Sequence, residues 1–358
     1  MTQKHWLSKG GSTMINVAIN GYGRIGRNVL RAFYERPELK DRMRLVAIND
    51  LGSAEMNAHL TQFDTTHGRF AETVVVEGQD MLVGTDRIRI LAERDPSQLP
   101  WGDLAVDIVF ECTGLFTERE AARQHLVAGA KRVLVSAPGK GMDATVVYGI
   151  NHASLTAADV IVSNASCTTN CLAPLAKPLY EAVGIDQGLM TTIHAYTNDQ
   201  NLIDNYHKGS RRGRSAALNM VLTETGAAKA VVKAVPELEG KLTGNAIRVP
   251  IPNVSMAILN LTLDNATTKE ELNEFLRDIA LHSKLQNQIS YTESPDAVSS
   301  DFVGTREAGV VDSNATIVSG NNVVLYLWYD NEFGYCCQVG RMVYKMAGVK
   351  YQYYPVEE

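Results

Sequence analysis

Near its amino terminus the chain reads Ile15-Asn16-Val17-Ala18-Ile19-Asn20-Gly21-Tyr22-Gly23-Arg24-Ile25-Gly26-Arg27. The apolar run that begins this stretch is typical of a buried strand, and the residues from Arg27 onward are typical of a helix. Gly21, Gly23 and Gly26 permit a tight turn, a close backbone approach to a pyrophosphate, and close packing of the helix on the strand. The stretch therefore predicts a strand–turn–helix that binds a dinucleotide, with the helix amino terminus facing the phosphates.

Asp50 supplies the second half of this pattern. It follows the next apolar run, Leu45–Ile48, and lies 24 residues after Gly26, where a carboxylate can accept hydrogen bonds from a ribose diol. A carboxylate at that place also repels a 2′-phosphate, which favours NAD over NADP. The competing interpretation is a glycine-rich structural turn with a surface aspartate, and the presence of both halves of the pattern argues against it.

Short apolar runs alternate with helical stretches as far as about residue 165. The runs have the character of buried parallel strands, and they are Ile15–Ile19, Leu45–Ile48, Ile108–Phe110, Val133–Val135, Val146–Val147 and Val160–Val162. Helices are predicted at Arg27–Glu35 and Glu118–Ala128. Residues Thr73 to Leu91 break the rhythm and predict an inserted antiparallel hairpin. These patterns indicate an α/β fold with a Rossmann-type doubly wound parallel sheet.

The second half of the chain has longer strands beside fewer helices. Strands are predicted at Leu189–Ala195, Ala246–Leu263 and Thr316–Tyr329, and helices at Thr168–Ala182, Lys269–Ser283 and Phe333–Met346. Pro178 is expected to kink or shorten the first of these helices. Long alternating strands predict a second, α+β domain whose sheet is mixed and largely antiparallel.

These predictions divide the chain into segments. Residues 1–13 are polar and are expected to form a disordered leader, residues 14–165 a dinucleotide-binding domain, and residues 166–331 a catalytic domain. The helix at about 332–350 could pack on either domain.

Composition excludes several classes of protein. The chain has 358 residues and a formal net charge of −6, which argues against a basic nucleic-acid binder. No stretch approaches the roughly 20 apolar residues that a membrane-spanning helix needs. Five cysteines, an odd number, without a secretory signal indicate reduced thiols and a cytoplasmic location.

The segment Ser163–Cys171 carries the candidate nucleophile. It is predicted to close a strand and open a helix, so that Cys167 lies at the helix amino terminus, where the helix dipole should lower its pKa. His194, at the end of an apolar strand, is the candidate base. A buried structural cysteine and a core histidine are the competing interpretations. Cys171 is expected to be a bystander thiol, and the cysteine spacing predicts no metal site.

Several longer motifs together resemble the phosphorylating glyceraldehyde-3-phosphate dehydrogenase family over nearly the whole chain after residue 14. Besides residues 20–27 and 163–171, the matching segments are Glu93–Pro96, Cys112–Gly114, His194–Gln200, Thr225–Ala230, Arg248–Pro250 and Trp328–Glu332. The resemblance implies an aldehyde oxidoreductase that forms a thiohemiacetal and then a thioester on Cys167. It implies His194 as the base, and the Cys167 backbone N–H and the His194 side chain as stabilisers of the oxyanion. It also implies a homotetramer.

The resemblance assigns the remaining site residues by position. The cofactor residues that it implies, together with those of the glycine motif, are Gly21, Gly23, Arg24, Ile25, Gly26, Asp50, Arg94, Thr113, Ser136 and Asn331, the last holding the nicotinamide carboxamide. The attacking phosphate would be bound by Ser166, Thr168, Thr225 and Gly226. The substrate phosphate would be bound by Thr197, Arg212 and Arg248, with Asp199 and Arg211 as further candidates. Arg211, Arg212 and Arg214 lie so close together in sequence that the choice among them stays open.

One departure from the family concerns the cofactor. Many NAD-specific members carry Leu-Pro or Gly-Pro after the aspartate that matches Asp204, in a loop that reaches the adenosine ribose of a neighbouring subunit. This chain has Asn205-Tyr206, so use of NADP is an open alternative.

Three other functions compete with the main hypothesis. Erythrose-4-phosphate dehydrogenase is a close relative, but the intact segment Tyr196–Gln200 favours glyceraldehyde 3-phosphate. A semialdehyde dehydrogenase would not need two phosphate pockets. A non-catalytic protein that binds RNA or another protein is disfavoured by the acidic charge and by the filled catalytic positions.

Overall fold

The computed structural model describes residues 14–36 and 39–349; the predicted leader at 1–13 lies outside them. The chain divides into two compact units. Unit 1 holds the described residues of Met1–Ala144, Leu155–Asn164 and Val339–Glu358, and unit 2 holds Thr145–Ser154 and Ala165–Gln338. Among the described residues, no helix is long and apolar enough to cross a bilayer.

Unit 1 is built on a nine-stranded sheet. The strands of this part of the chain are β1 (Ile15–Asn20), β2 (Met43–Asn49), β3 (Phe63–Asp64), β4 (Gly68–Arg69), β5 (Val74–Glu77), β6 (Asp80–Val83), β7 (Asp86–Leu91), β8 (Ile108–Glu111), β9 (Arg132–Val135), β10 (Ala144–Thr145) and β11 (Ile161–Ser163). The helices are α1 (Arg24–Tyr34), α2 (Ala54–Gln62), α3 (Arg119–Ala122) and α4 (Gln124–Val127). Strands β3 and β4 form a separate pair.

The strand order of the large sheet is β10-β11-β9-β8-β1-β2-β7-β6-β5. Strands β1, β2, β7, β8, β9 and β11 pair in parallel, and the order runs outward from β1 in both directions. This confirms the predicted doubly wound sheet. The strand order changes direction between β1 and β8, and sheets of this kind bind ligands at the carboxyl ends of the strands at such a point.

The hairpin predicted within residues 73–91 is present, because β5 and β6 pair antiparallel with Glu77 opposite Asp80. Strand β6 then pairs antiparallel with β7, which joins the parallel strands beside β2.

Two local predictions were wrong. Val146 and Val147 are fully buried but irregular, because a short apolar run reports burial and not conformation. The helix predicted at Glu118–Ala128 is interrupted at Arg123.

Unit 2 is built on an eight-stranded mixed sheet. Its strands are β12 (Ile185–Ala195), β13 (Val221–Glu224), β14 (Leu242–Val249), β15 (Ser255–Leu263), β16 (Ile289–Thr292), β17 (Gly309–Asp312), β18 (Ile317–Ser319) and β19 (Asn322–Tyr329). The helices after β11 are α5 (Cys167–Val183), α6 (Ala227–Ala234), α7 (Lys269–His282) and α8 (Phe333–Met346), the last continuing from unit 2 into unit 1. Most strand pairs are antiparallel, as predicted, but β12 with β14 and β16 with β17 are parallel.

Proline affects this unit differently from expectation. Helix α5 extends through both Pro174 and Pro178 to Val183. Of the prediction that Pro178 kinks or shortens the helix, the shortening was therefore wrong. Its apolar face, including Leu172 and Leu175, is fully buried in the core of the unit, and this burial holds the helix in spite of the missing N–H groups.

The strand predicted at 246–263 is two strands, because Pro250-Ile251-Pro252 interrupts the ladder. The strand predicted at 316–329 is likewise two strands, β18 and β19, which pair antiparallel across a turn at Gly320.

Candidate active site

A tight connection presents the candidate nucleophile. Strand β11 ends at Ser163 and helix α5 begins at Cys167, as the sequence predicted. Between them Ala165 has a φ of 55°, a left-handed conformation that a residue with a side chain adopts only under constraint. The Tyr335 hydroxyl donates to the Ala165 carbonyl at 3.1 Å, and the Ser166 side chain caps the helix by accepting from the Thr169 N–H at 3.1 Å. Cys167 is thereby fixed in the first turn of α5.

His194 faces this thiol from strand β12. Its Nε2 lies 3.6 Å from the Cys167 sulfur, and its ring is buried. On the other side of the ring, Nδ1 lies 2.7 Å from the Ala195 carbonyl oxygen and 2.7 Å from the guanidinium of Arg248. Arg248 reaches it because the parallel register of β12 and β14 sets these two residues side by side. The pair has the geometry of a nucleophile with an adjacent base.

The environment sets the charge of both groups. Burial, together with the charge of Arg248, lowers the pKa of His194 to about 3, so the ring is neutral at pH 7. Burial raises the pKa of the Cys167 thiol, although the Thr168 hydroxyl, Arg248 and the backbone N–H groups of the helix start each oppose that rise. The prediction that the helix dipole gives Cys167 a lowered pKa was therefore wrong, because desolvation is the larger effect. The resting pair is a thiol beside a neutral imidazole.

A set of hydroxyl groups lies beside this pair, and the sequence had marked only Thr168 among them. The Tyr329 hydroxyl lies 3.0 Å from the Thr168 hydroxyl and 2.7 Å from that of Thr192. Ser255, on β15, accepts from the Ala195 N–H at 3.1 Å and donates to Oδ1 of Asn331 at 2.8 Å. Tyr329 stands in a segment that resembles the family, whereas no sequence signal marks Ser255 or Thr192.

The structure separates the three neighbouring arginines. Arg212 donates to the Thr223 hydroxyl at 2.7 Å and forms an ion pair with Asp199, and its charge acts on both His194 and Arg248. Arg214 instead pairs with Asp204 at 2.9 Å in an exposed loop, and Arg211 is exposed. Of these three arginines, Arg212 is the one whose charge acts on His194, beside that of Arg248. Asp199 holds that arginine by direct contact.

The remaining phosphate candidates in unit 2 occupy two further positions. Gly226 is the N-cap residue of helix α6 and places no side chain on the helix start, and a Cβ there would meet nothing within 4 Å. The Thr225 hydroxyl accepts from the Ala227 N–H at 3.2 Å in the same turn. The Thr197 carbonyl accepts from the Gln200 N–H at 2.9 Å in the turn that follows β12.

In unit 1 the glycine turn fits a dinucleotide. Gly21 has a φ of 87°, and a Cβ there would lie 2.6 Å from the Thr113 nitrogen. A Cβ at Gly26 would lie 2.2 Å from the Gly21 carbonyl oxygen, so the turn and helix α1 approach too closely for any larger residue. Helix α1 begins at Arg24, earlier than predicted, with Gly23 as an N-cap that contributes no side-chain bond and with no acidic residue in the first turn. A helix amino terminus with no acidic residue in its own first turn suits a pyrophosphate.

Asp50 lies at the carboxyl end of β2, beside this turn. Its carboxylate accepts from the Tyr22 N–H and from the Gly52 N–H, each at 2.9 Å, and each oxygen retains a lone pair for a ribose hydroxyl. Arg24 pairs with Asp64. Ser136 follows β9 and donates to the Glu111 carbonyl at 3.0 Å, while Arg94 is exposed after β7. Ile25 is partly buried.

Comparison with known proteins agrees with both units. The family model of the glyceraldehyde 3-phosphate dehydrogenase NAD binding domain matches residues 15–119, and that of the C-terminal domain matches residues 166–331. The plasmid-encoded glyceraldehyde-3-phosphate dehydrogenase of Cupriavidus necator is 55% identical over 322 residues, covering 90% of this chain and 95% of that protein. The chain belongs to the glyceraldehyde-3-phosphate dehydrogenase family. It is an NAD-dependent oxidoreductase.

Other members of the glyceraldehyde-3-phosphate dehydrogenase family show the same breadth of similarity. The Pseudomonas aeruginosa enzyme is 53% identical over 321 residues, covering 90% of this chain and 95% of its own. Glyceraldehyde-3-phosphate dehydrogenase 1 of Bacillus subtilis is 48% identical over 327 residues, with 91% and 96% coverage. These names do not favour the erythrose-4-phosphate alternative.

Proposed function

We propose that the chain oxidises D-glyceraldehyde 3-phosphate to 1,3-bisphosphoglycerate, with reduction of NAD and uptake of inorganic phosphate. The observation that carries this proposal is the Cys167 thiol, fixed in the first turn of α5, 3.6 Å from Nε2 of a neutral His194. The Cys167 sulfur adds to the aldehyde carbon to form a thiohemiacetal, whose oxidation gives a thioester. Attack of phosphate on the thioester carbon releases the acyl phosphate and restores the thiol.

His194 moves the protons. Its unprotonated Nε2 takes the thiol proton as the carbon–sulfur bond forms and passes it to the aldehyde oxygen. When the carbon is oxidised, the same ring takes the hydroxyl proton. NAD, when bound, accepts the hydride that leaves this carbon. A base with a lowered pKa stays unprotonated at neutral pH, so it is ready at the start of each turnover.

The negative charge that develops on the substrate oxygen is stabilised from two sides. The backbone N–H of Cys167 belongs to the first turn of α5, where N–H groups have no partner within the helix. The Nε2–H of His194, once protonated, is the second donor.

Two anion sites complete the assignment. Arg212, Arg248 and Thr197 are proposed to bind the substrate phosphate, because two guanidinium groups suit a dianion and the charge of each already acts on His194. Asp199 is assigned to holding Arg212. Ser166, Thr168, Thr225 and Gly226 are proposed to bind the attacking phosphate. The open N-cap at Gly226 supports that role.

The cofactor is assigned to the glycine turn, with Asp50 on the ribose and Thr113, Ser136, Arg94 and Ile25 around it. Asn331 is proposed to hold the nicotinamide carboxamide. Its Oδ1 already accepts from Ser255, which orients the amide and assigns Nδ2 as the donor. Use of NADP beside NAD is proposed from Asn205-Tyr206, two residues that lie exposed.

We also propose a homotetramer in the cytoplasm, divided at residue 165 into a cofactor domain and a catalytic domain. The segment between β12 and β13 has several strongly exposed large apolar side chains, among them Leu202, Ile203, Leu218 and Met220, which are 72–83% exposed. Surfaces of this kind are typical of contacts between subunits. All five cysteines are free thiols, which supports a reducing compartment. Light scattering on the purified protein tests the tetramer.

Steady-state kinetics with purified protein test the reaction. Glyceraldehyde 3-phosphate and erythrose 4-phosphate are each compared with NAD and NADP, with and without inorganic phosphate. Fast, phosphate-dependent turnover of the triose is expected. Preference for the tetrose, or turnover indifferent to phosphate, contradicts the proposal.

A further inference from the structure

A buried polar network lies at the carboxyl ends of β1, β2 and β8. Glu111 and His125 are 1% and 0% exposed, and the carboxylate Oε2 lies 2.9 Å from Nε2 of the ring. Neither residue takes part in the proposed chemistry. A carboxylate buried this deeply is costly to keep in a fold, so its partners indicate what it does.

Trp101 fixes the tautomer of His125. The indole N–H donates to Nδ1 of the ring at 3.0 Å, and an indole nitrogen has no acceptor capacity. Nδ1 is therefore an acceptor, the ring proton lies on Nε2, and the neutral imidazole donates to Glu111.

Glu111 accepts hydrogen bonds from four donors. One oxygen accepts from the Thr113 N–H at 2.8 Å and from the Thr113 hydroxyl. The other accepts from the Asn20 amide at 2.6 Å and from His125. Hydrogen bonds to a carboxylate are shorter and stronger than those between two neutral groups, so Glu111 holds Thr113 and Asn20 rigidly.

The network ends in three segments of the cofactor site. Thr113 packs against the Gly21 turn, and the Thr113 backbone leaves no room for a Cβ at Gly21. Asn20 immediately precedes Gly21 and accepts from the Asn49 amide at 2.7 Å. Asn49 in turn donates to the Glu93 carbonyl and accepts from the Glu93 N–H, each at 2.8 Å, and so holds the residue before Arg94.

We propose that Glu111 and His125 are positioning residues for the dinucleotide: the buried pair holds the Thr113 turn, the Gly21 turn and the Arg94 loop in one arrangement and so sets the affinity for NAD. This inference rests on the proposed role of those three segments in cofactor binding. The pair acts through other residues and has no part in the reaction at Cys167.

Direct titration of the full-length protein with NAD, followed by calorimetry, tests the proposal. Glu111→Gln and His125→Leu are expected to raise the Kd for NAD roughly tenfold, the low end of the loss that outer partners of a binding site cause. His125→Gln should stay near the wild-type Kd, because glutamine can accept from Trp101 and donate to Glu111. In steady state, KM for NAD should rise while kcat and KM for glyceraldehyde 3-phosphate are retained.

Asn16→Ala is the matched control. Asn16 lies at the other end of β1, is also buried, and donates to the carbonyls of Leu104 and Ala105. The variant should lose thermal stability and keep its Kd for NAD. Where His125→Leu does not fold, Asn49→Ala cuts the same network at β2 and is expected to raise the Kd similarly.

The outcomes distinguish failure of the positioning role from failure of the proposed function. Folded Glu111→Gln, His125→Leu or Asn49→Ala with wild-type Kd overturns the positioning role alone, as does an equal rise in Asn16→Ala. A wild-type protein that binds no NAD overturns the proposed function and this inference with it.

Discussion

The guanidinium of Arg248 lies 2.7 Å from Nδ1 of His194, whose other ring nitrogen faces the Cys167 sulfur. One cation therefore acts on both members of the nucleophile–base pair. It contributes to the lowered pKa of His194 and opposes the rise that burial causes in the pKa of Cys167. The same arginine is proposed to bind the substrate phosphate. If that assignment holds, arrival of the dianion would weaken the field of Arg248 and so couple substrate binding to the basicity of His194.

Arg248→Met should move the reactivity of Cys167 to higher pH. Without the cation the thiol pKa rises further above its ordinary value, so less thiolate is present at any pH below it. The profile is expected to move to higher pH, because a neighbouring positive charge favours the thiolate. The measurement is the rate of alkylation by iodoacetamide between pH 6 and pH 10. Arg214→Met is the control, since Arg214 pairs with Asp204 in an exposed loop; equal profiles for all three proteins would contradict the argument.

Cys167→Ser should abolish oxidative phosphorylation of the aldehyde, because a serine hydroxyl beside His194 is a far weaker nucleophile than a thiolate. The Kd for NAD should change little. Cys171→Ser is the matched control one helical turn along, where the thiol is fully buried and should not react. Full activity of the Cys167 variant would remove the nucleophile assignment.

His194→Asn should fold normally and slow formation of the acyl-enzyme by about 10²–10⁴-fold, the usual contribution of general acid–base catalysis. Stopped-flow measurement of the first turnover isolates this step. The Kd for NAD and the thermal midpoint serve as controls. An unchanged burst rate would make His194 a core histidine.

Arg212→Leu should raise KM for glyceraldehyde 3-phosphate strongly, whereas Arg211→Leu and Arg214→Leu should not. Only Arg212 combines contacts to Asp199 and Thr223 with a charge that acts on His194. Loss of one charge-assisted contact to phosphate corresponds to roughly tenfold or more in KM, since such bonds are worth about 1.5–3 kcal/mol. Similar KM values for the three variants would mean that the substrate phosphate binds elsewhere.

Asp50→Ala should raise the ratio of kcat/KM for NADP to that for NAD by removing the charge that repels a 2′-phosphate. The carboxylate also accepts from two backbone N–H groups of the turn, so affinity for NAD should fall as well. Asp50→Asn controls for this, because it retains an acceptor for the turn without the charge. A ratio unchanged in both variants would show that Asp50 does not select the cofactor.

Sequence patterns predicted the fold class and much of its detail. Strand β1, the glycine turn and the junction at Ser163–Cys167 were predicted because their residue types carry local conformational demands that few other residues meet. Helix α8 matches its predicted bounds, Phe333–Met346. Two local signals failed for different reasons. Burial of its apolar face holds α5 helical through Pro178, whereas the apolar run Val146-Val147 reported burial and not a strand.

For the site, too, some features followed from local sequence and others from residues distant in the chain. The sequence by itself determined the doubly wound sheet, the identities of Cys167 and His194 as candidates, and the glycine turn, since these follow from residue type and spacing. Only the tertiary structure decided the charges, the partners and the choice among arginines. The register of β12 against β14 sets Arg248 on His194, and burial raises the pKa of Cys167 against the helix dipole. Register and desolvation depend on residues distant in sequence, and no local pattern carries them.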